Sequence, residues 1–270
     1  MKKLLHFLAT GLLLIPGTMG QTVEELSKKS LEAMKNVKSL SYKFYAQERF
    51  KGGKFEYAEA DIKVQMKPFQ VYANAIKPDN AQLIYAGSTP DKVRVKKGPL
   101  KLSLSPYSSL LLKQQHHPMY RAGFGTIYKT LSKAMKDREG QDIMKFMKDK
   151  GTVIYDGKEC YHVELIDPDY RFVNYTVKPG QTTLWQICES LTIPEYKVRM
   201  LNDIDYDDIK PGQVIKVPSS YAKKSTLYVD KKTLLPIYQR AEDDLGLYEV
   251  YEFKSLKLNP TLTEADFTFK

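Results

Sequence analysis

The chain has 270 residues, of which 42% are hydrophobic and 27% charged, so it is long enough for one substantial core and a further small unit. Its formal net charge is +10, but no block of basic residues alternates with exposed aromatic residues, which argues against a nucleic-acid partner. Tyrosine is abundant, with 19 residues, and this favours β structure.

The N-terminus has the pattern of a signal peptide over residues 1–20. Lys2 and Lys3 precede an apolar run that is too short to span a bilayer comfortably, and small residues end at Gly20. The first cysteine is Cys160, so the cleavage point offers no site for lipid attachment. We therefore expect an exported, soluble mature protein, with the periplasm as the favoured compartment. On such a protein a basic surface favours anionic wall polymers or lipid headgroups, or is simply solvated.

After the leader, an amphipathic helix is expected over 23–37, where apolar residues recur at helical spacing. The chain then becomes rich in short strands, which are separated by Gly and Pro turn signals. The predicted strands span 41–50, 57–67, 70–76, 82–85, 92–97 and 100–104. This succession predicts an antiparallel meander.

The middle of the chain changes to a helical period, and two helices are predicted, over 124–136 and 141–150. Four methionines lie in or near this segment: Met119, Met135, Met144 and Met147. Adaptable side chains of this kind suit the wall of an apolar cavity, while the alternative is that they fill an irregular core. The same two interpretations hold for four strand aromatics: Tyr42, Phe44, Tyr72 and Tyr85.

Strands resume after these helices and enclose a different kind of segment. The later predicted strands span 152–155, 159–166, 225–229, 235–242 and 248–256. Residues 175–218 lie between two of them, so this segment interrupts a hairpin of the host. Such an insertion costs little stability when the two ends of the inserted unit lie close together.

The interrupting segment predicts a strand, two short helices and a second strand. Tyr175 begins a β-forming stretch, Pro179 and Gly180 form a turn, and Thr182 or Thr183 can cap the first helix. The second helix is expected over 195–202, and the second strand, over 214–217, follows the turn at Pro211 and Gly212. The expected unit is therefore a two-stranded sheet with two helices on one face.

This tract resembles the LysM module, the small βααβ domain that binds glycans containing N-acetylglucosamine. The resemblance covers 175–218 and includes a Val-Lys-x-Gly strand end, a later Leu-Asn and a closing Pro-Gly-Gln-x-Ile-x-Val-Pro. Three departures are present. Gln181 stands where an acidic residue is usual, Thr183 resembles an inserted residue, and 204–208 lengthens the segment before the second turn.

The LysM resemblance implies a glycan groove between the loop after the first strand and the loop before the second. The candidate glycan-binding residues are Gly180, Gln181, Thr182 and Thr183 on one side, and Ile209, Lys210 and Pro211 on the other. Backbone amides and a shallow apolar floor would serve the acetamido groups and ring faces of the sugar. The alternative is that Gly180 and Pro211 are only turn residues and that Ile209 is only core.

The C-terminal strands carry a second resemblance. Residues 227–237, 248–254 and 262–269 are similar to the closing strands of the LolA/LolB-like lipoprotein-carrier superfamily. That resemblance implies an α+β fold in which a strongly curved antiparallel sheet, a half-barrel, wraps helices and encloses an apolar cavity for acyl chains. The expected organisation is a host domain over 21–174 and 219–270 with the βααβ LysM domain inserted at 175–218.

The polar residues do not assemble into a recognisable catalytic or metal site. Cys160 and Cys188 are expected as two free buried thiols, although an exported protein could also form the bridge. His116 and His117 could bind a metal or act as a general base, but no acid is near them in sequence, and a packing role in a loop is preferred. Neither a metal nor another cofactor is predicted.

Adjacent acids are the remaining candidates for catalysis. They occur as Glu24-Glu25, Asp207-Asp208 and Asp243-Asp244, in contexts that favour exposure. Adjacent carboxylates do not match the separated acid and base of a glycosidase. We therefore do not expect an enzyme.

Two classes of function remain open at this level. The first is an exported envelope binding protein, whose partners are peptidoglycan or another N-acetylglucosamine glycan and, in the host cavity, lipid or lipoprotein acyl chains. The alternatives are a wall-glycan enzyme that uses the LysM module for targeting, and a non-catalytic envelope scaffold. Retention on insoluble peptidoglycan that depends on 175–218 would favour the binding protein, and release of soluble fragments would favour the enzyme.

Overall fold

The fold is taken from a computed structural model, which describes residues 22–86, 92–113, 115–141, 145–206 and 208–270. The predicted signal peptide, Met144 and Asp207 lie outside the described residues. Among the described residues, no helix is long and apolar enough to cross a membrane.

The described elements are five α-helices and thirteen strands, joined by turns and short 3₁₀ segments. The helices are α1 (Val23–Lys35), α2 (Ser109–Leu112), α3 (Gly125–Lys136), α4 (Leu184–Leu191) and α5 (Glu195–Asn202). The first strands are β1 (Ser39–Arg49), β2 (Phe55–Met66), β3 (Phe69–Lys77), β4 (Ala81–Ala86), β5 (Val93–Lys97), β6 (Leu100–Leu104), β7 (Met147–Tyr155) and β8 (Lys158–Ile166). The last strands are β9 (Phe172–Thr176), β10 (Val214–Pro218), β11 (Lys224–Asp230), β12 (Pro236–Asp243) and β13 (Gly246–Leu258).

Eleven of the described strands form one large curved antiparallel sheet that does not close on itself. Their order is β6-β5-β4-β3-β2-β1-β13-β12-β11-β8-β7, so β6 and β7 are the two edges. Helices α1 and α3 pack together against the sheet, and the core includes Leu26 from α1, Leu131 from α3 and Val64 from β2. The predicted α+β fold with a curved antiparallel sheet is confirmed.

The helix predicted over 141–150 is wrong, because Met147 begins strand β7. Met147 is buried and pairs with Leu165 of β8, while the charged residues that follow it are exposed. A row of charged side chains is typical of a sheet edge, which must resist pairing with other chains. Pairing with β8 therefore overrides the helical spacing of the apolar residues.

The inserted module leaves and rejoins the sheet at one place. Strands β8 and β11 pair directly, with Ile166 opposite Lys224 and Cys160 opposite Asp230. The two-stranded sheet of β9 and β10 lies between them in sequence, with Phe172 opposite Pro218. The predicted insertion into a host hairpin is confirmed, and the ends of the module are close together as such an insertion requires.

Helix α4 begins with a capping box. The Thr183 hydroxyl accepts from the Gln186 amide, and the Gln186 side chain in turn accepts from the Thr183 amide. Thr183 is therefore the N-cap of α4, and this role explains why a threonine stands at this position of the loop. The module core contains Ile187 and Cys188 from α4, and Leu112 of host helix α2 belongs to the same cluster.

Both cysteines are free and buried, as predicted. Burial raises the pKa of the Cys160 thiol to about 11 and raises that of Cys188 well above its usual value. Both thiols therefore remain protonated and unreactive at neutral pH.

Candidate functional site

An apolar cavity of about 410 Å³ lies on the concave face of the sheet. The register of the strands explains why there is room for a cavity on this face. Ala46 pairs with Ala58, and Ala75 pairs with both Ala60 and Ala81, so small side chains lie side by side across β1 to β4. All five line the cavity. A volume of this size falls in the range of about 300 to 1,000 Å³ that is usual for small-molecule sites.

The walls of the cavity are larger apolar side chains. They include Tyr42, Phe44, Ile62, Val71, Leu83, Val95, Leu102, Leu104, Met119 and Phe253. Of the predicted cavity candidates, Met119, Tyr42 and Phe44 therefore line it. Met147 is core, Met135 packs against the core, and Tyr72 packs beside Phe267 in a separate cluster.

One end of the cavity is polar and is lined by Glu48, His117, Arg121, Tyr221 and Gln239. Behind these residues lies a buried network that joins both histidines to acids. These acids are distant from His116 and His117 in sequence, so the residues near the histidines in sequence could not reveal them. Glu48 of β1 and Glu249 of β13 are register partners on adjacent strands, and both are buried.

His116 is fully buried and makes three polar contacts. Its backbone amide donates to Glu48 at 2.9 Å, its Nδ1 lies 2.9 Å from Glu249, and its Nε2 lies 3.0 Å from the Arg49 carbonyl oxygen. Both ring nitrogens are therefore occupied by hydrogen bonds to host groups. The ring also stacks between Tyr196 and Tyr248. The predicted packing role is present, and hydrogen bonds to two buried acids accompany it.

His117 faces the cavity and lies between two carboxylates. Its Nε2 is 2.9 Å from the Tyr221 hydroxyl and 3.5 Å from Glu249, and its Nδ1 is 3.6 Å from Glu195. Burial opposes the charge, but Glu195 and Glu249 outweigh it and raise the pKa of His117 to about 9. Burial likewise opposes ionisation of Glu249, but the two imidazoles hold its pKa far below the usual range.

Glu48, His116 and Glu249 lie close enough together to share a metal ion. The donor set does not fit one, because a metal ligand needs a free nitrogen lone pair and both ring nitrogens of His116 are engaged in hydrogen bonds. The Tyr251 hydroxyl also donates to Glu48, and the Tyr221 hydroxyl donates to Glu249. Glu48, His116 and Glu249 thus satisfy one another, together with these two tyrosines, through hydrogen bonds.

Helix α5 of the module is docked against this polar end. Glu195 is buried and lies 2.5 Å from Arg121. Lys197 is also buried, and its Nζ lies 2.7 Å from both Asp243 and Asp244. Asp243 is buried and also pairs with a host arginine, so the predicted exposure of this acid is wrong.

Helix α4 contributes to the same contact surface. Trp185 lies under the guanidinium of Arg121, 4.8 Å from it, and packs against Tyr120. Glu189 pairs with Arg121 at 3.2 Å and also with Lys129. Arg121 therefore contacts the cavity on one side and the module on the other. The module therefore packs behind a residue that lines the cavity.

The predicted glycan residues lie on two adjoining loops of the module. The amide of Gly212 donates to the carbonyl of Val177, and the amide of Val177 donates to the carbonyl of Gln213, which ties the loops together. Gly180 adopts a φ of 85°, which suits glycine. Six predicted residues are exposed or half-buried: Gly180, Gln181, Thr182, Thr183, Lys210 and Pro211. Ile209 is buried in the module core.

Three glutamines brace these loops, and two of them are not among the predicted residues. Gln181 Oε1 accepts from the Lys178 amide at 2.8 Å and from the Tyr175 hydroxyl at 2.9 Å. Gln186 accepts from the amides of the loop before α4, and Gln213 accepts from the Lys210 amide. The carboxamide oxygen of Gln181 performs the acceptor role that a carboxylate would have at this position.

Comparison with known families identifies two segments. Residues 37–177 match the family described as "Protein of unknown function (DUF1571)", and residues 175–218 match the LysM domain. The second match covers the predicted tract, so the module is a LysM domain. No curated protein matches the chain in sequence.

Several solved structures are similar to the chain. Lipoprotein LppX of Mycobacterium tuberculosis has 13% identity and a TM-score of 0.42, and the match covers 90% of this chain and 99% of that one. LprF from Mycobacterium bovis has 11% identity, a TM-score of 0.45 and coverage of 89% and 94%. A LolA superfamily protein from Nitrosomonas europaea has 11% identity, a TM-score of 0.33 and coverage of 92% and 98%.

Proposed function

Because the chain belongs to the DUF1571 family and contains a LysM domain, we propose that it is an exported cell-envelope binding protein with two ligands. The host cavity binds lipid or lipoprotein acyl chains, and the LysM domain contacts the N-acetylglucosamine units of peptidoglycan. The predicted signal peptide supports a periplasmic location. Catalysis is not part of the proposal, because the acids that converge, Glu48 and Glu249, are buried and hydrogen-bonded.

We call the two parts of this proposal the lipid arm and the glycan arm. The lipid arm rests on the alanine residues that form the floor of the cavity. Ala58, Ala60 and Ala75 leave a space walled mainly by aromatic and aliphatic side chains. Such a space suits an apolar chain, because each methylene that moves from water into the cavity contributes about 0.8 kcal/mol to the free energy of binding. Charged groups at the polar end pair with one another, so the apolar wall contributes most to the selection of a ligand.

A phenylalanine at position 75 is expected to weaken the binding of a fluorescent fatty acid about 100-fold. The ring would occupy the space of roughly four methylenes, which corresponds to about 3 kcal/mol. Displacement titration measures the affinity directly. The matched control is Asn74→Phe, since Asn74 is the next residue on β3 and its side chain points to the opposite face.

Native mass spectrometry of the purified mature protein adds the identity of the ligand. Copurifying acyl lipid in the wild type, absent from Ala75→Phe and present in Asn74→Phe, would support the cavity as the lipid site. Equal affinity of both variants for the fatty acid would overturn the lipid arm.

The glycan arm is supported by the LysM match and by the braced loops. In Gln181→Leu the Lys178 amide and the Tyr175 hydroxyl lose their shared acceptor, which loosens the loop. We expect this change to weaken binding of a chitin oligomer by about 1 to 3 kcal/mol, or roughly five- to 150-fold. Gln181→Glu keeps an acceptor and should retain affinity.

Calorimetry with a chitin oligomer and retention on insoluble peptidoglycan measure the two variants. Lys216→Ala is the surface control, since Lys216 is exposed on β10 away from both loops, whereas Lys210→Ala removes a predicted contact. If the wild type is retained no better than Gln181→Leu, the glycan arm is wrong. Failure of this arm leaves the fatty-acid result untouched.

A further inference from the structure

Exposed leucines and lysines form a rim around the open side of the cavity. We define this rim by Leu100 and Leu102 of edge strand β6, Leu110 of α2, and the nearby lysines Lys101 and Lys113. The three leucines are 54%, 39% and 62% exposed, and all three line the cavity. Apolar side chains of the cavity lining are therefore exposed at the molecular surface.

The charge of this segment has one sign. Residues 92–113 contain six basic residues, Lys92, Arg94, Lys96, Lys97, Lys101 and Lys113, and no acidic residue. Lys97 is neutralised by Asp79 at 2.8 Å. Within the described part of the chain, Lys101 and Lys113 form no ion pair, and both are exposed. Exposed leucines are thus flanked by uncompensated positive charge.

We propose that the rim docks on an anionic lipid bilayer, and that acyl chains pass from the bilayer into the cavity through it. Exposed leucines can insert into the boundary between headgroups and acyl chains, while the lysines remain at the level of the phosphates. A chain that enters between Leu102 and Leu110 can then contact the apolar wall of the cavity, which includes Leu104. The partner is therefore the membrane surface, and the lysines select its negative headgroups.

Edge strand β6 also has the geometry to pair with a strand of another protein. The distribution of side chains favours the bilayer. Strand pairing uses the backbone and does not require exposed leucines on α2, whereas a bilayer would engage Leu100 and Leu110 together. Charge complementarity with anionic headgroups accounts for the lysines as well.

Flotation with vesicles tests the proposal. The mature wild-type protein should bind vesicles of phosphatidylcholine mixed with phosphatidylglycerol, bind vesicles of phosphatidylcholine alone much more weakly, and be released by salt. The triple change of Leu100, Leu102 and Leu110 to serine should lower partitioning about tenfold or more. Its control is Ile154→Ser with Leu245→Ser, because these residues are 67% and 69% exposed outside the rim.

The charge arm has its own matched control. Lys101→Glu with Lys113→Glu should lower partitioning by at least about fivefold per lysine. Lys148→Glu with Lys216→Glu changes net charge equally on strands outside the rim and should have a smaller effect. Thermal unfolding checks that each exposed substitution leaves the fold intact.

The outcomes separate this inference from the proposed lipid binding. Ala75→Phe should lose fatty-acid affinity and keep vesicle binding, whereas Lys101→Glu alone, at a residue outside the cavity lining, should weaken vesicle binding and keep fatty-acid affinity. Equal partitioning of rim and control variants, or failure of the wild type to bind anionic vesicles, would overturn the membrane docking. A wild type that ignores vesicles but binds fatty acid would leave the cavity function standing alone.

Discussion

Replacing Lys197 with methionine is expected to lower the free energy of unfolding of the whole chain by about 3 to 5 kcal/mol. The Lys197 ammonium is buried at the interface between the module and the host. It lies 2.7 Å from each of two host carboxylates, Asp243 and Asp244. Methionine keeps most of the apolar stem but removes the charge. Asp243 is then left in a buried position with Arg49 as its remaining cation.

A second ion pair that joins the module to the host provides the control. Lys51 of the host contacts Asp203 of the module at 2.6 Å, and both side chains are mostly exposed. Exposed pairs contribute little because water screens them. Lys51→Met should therefore leave the urea midpoint nearly unchanged, while Lys197→Met should lower it clearly.

Chemical unfolding followed by both tryptophan fluorescence and circular dichroism measures these effects. Trp185 reports on the module, and far-ultraviolet dichroism is dominated by the host sheet. Because α5 places buried charges against the host, we expect the two probes to show one coincident transition. A Lys197→Met variant as stable as the wild type, or a wild-type module that melts well before the sheet, would contradict the docked arrangement.

This arrangement affects how the glycan arm can be studied. Deleting the whole module would leave Arg121 without Glu195 and Glu189, and would leave Asp243 without Lys197. An unpaired buried charge is costly, so a deletion variant would confuse lost stability with lost binding. Point changes in the exposed loops avoid this problem.

Much of the fold is predictable from local signals. Alternating side chains and Gly or Pro turns give most strands to within a few residues, and the LysM tract gives both helices of the module. The cavity also has a sequence signal, because Ala58 and Ala60 on β2 and Ala73 and Ala75 on β3 recur at every second position. Small residues on one face of adjacent strands predict a hollow.

The polar network cannot be predicted in the same way. His116 and Glu249 are 133 residues apart, and Glu195 comes from the inserted module. Only the register of β1 with β13 and the docking of α5 bring these side chains together. A partial signal exists, since Glu249 interrupts a stretch of otherwise large apolar residues on β13. That signal shows a buried charge but not its partners.

The Glu249→Gln substitution is expected to lower the free energy of unfolding at neutral pH by about 3 kcal/mol or more, because His117 loses a buried counter-charge and His116 loses a hydrogen-bonded carboxylate. Glu48 remains beside His116 and prevents a larger loss. The pH dependence should change as well. His117 has a folded pKa of about 9 against an ordinary value of 6.5, so the folded protein holds an extra proton between these values.

The sign of this effect follows from proton linkage. The contribution of His117 is complete below pH 6.5 and falls by about 1.4 kcal/mol per pH unit as the pH rises toward 9. The Glu249 contribution has the opposite sense, since its pKa is held far below the ordinary 4.5, and it is lost as the pH falls below that value. Wild-type stability from this network is therefore greatest between pH 4.5 and 6.5.

Urea titrations across pH 5 to 9, taken at roughly unit steps, compare the wild type with Glu249→Gln and with Glu242→Gln. Glu242 lies on the neighbouring strand, where it pairs with Arg240 away from the histidines, so its amide variant should keep the wild-type slope. In Glu249→Gln one of the two carboxylates that raise the pKa of His117 is gone while Glu195 remains, so the loss of stability above pH 6.5 should be smaller. Parallel curves for all three proteins would show that His117 titrates without Glu249, and that the polar end of the cavity is not the charge-balanced network described by its geometry.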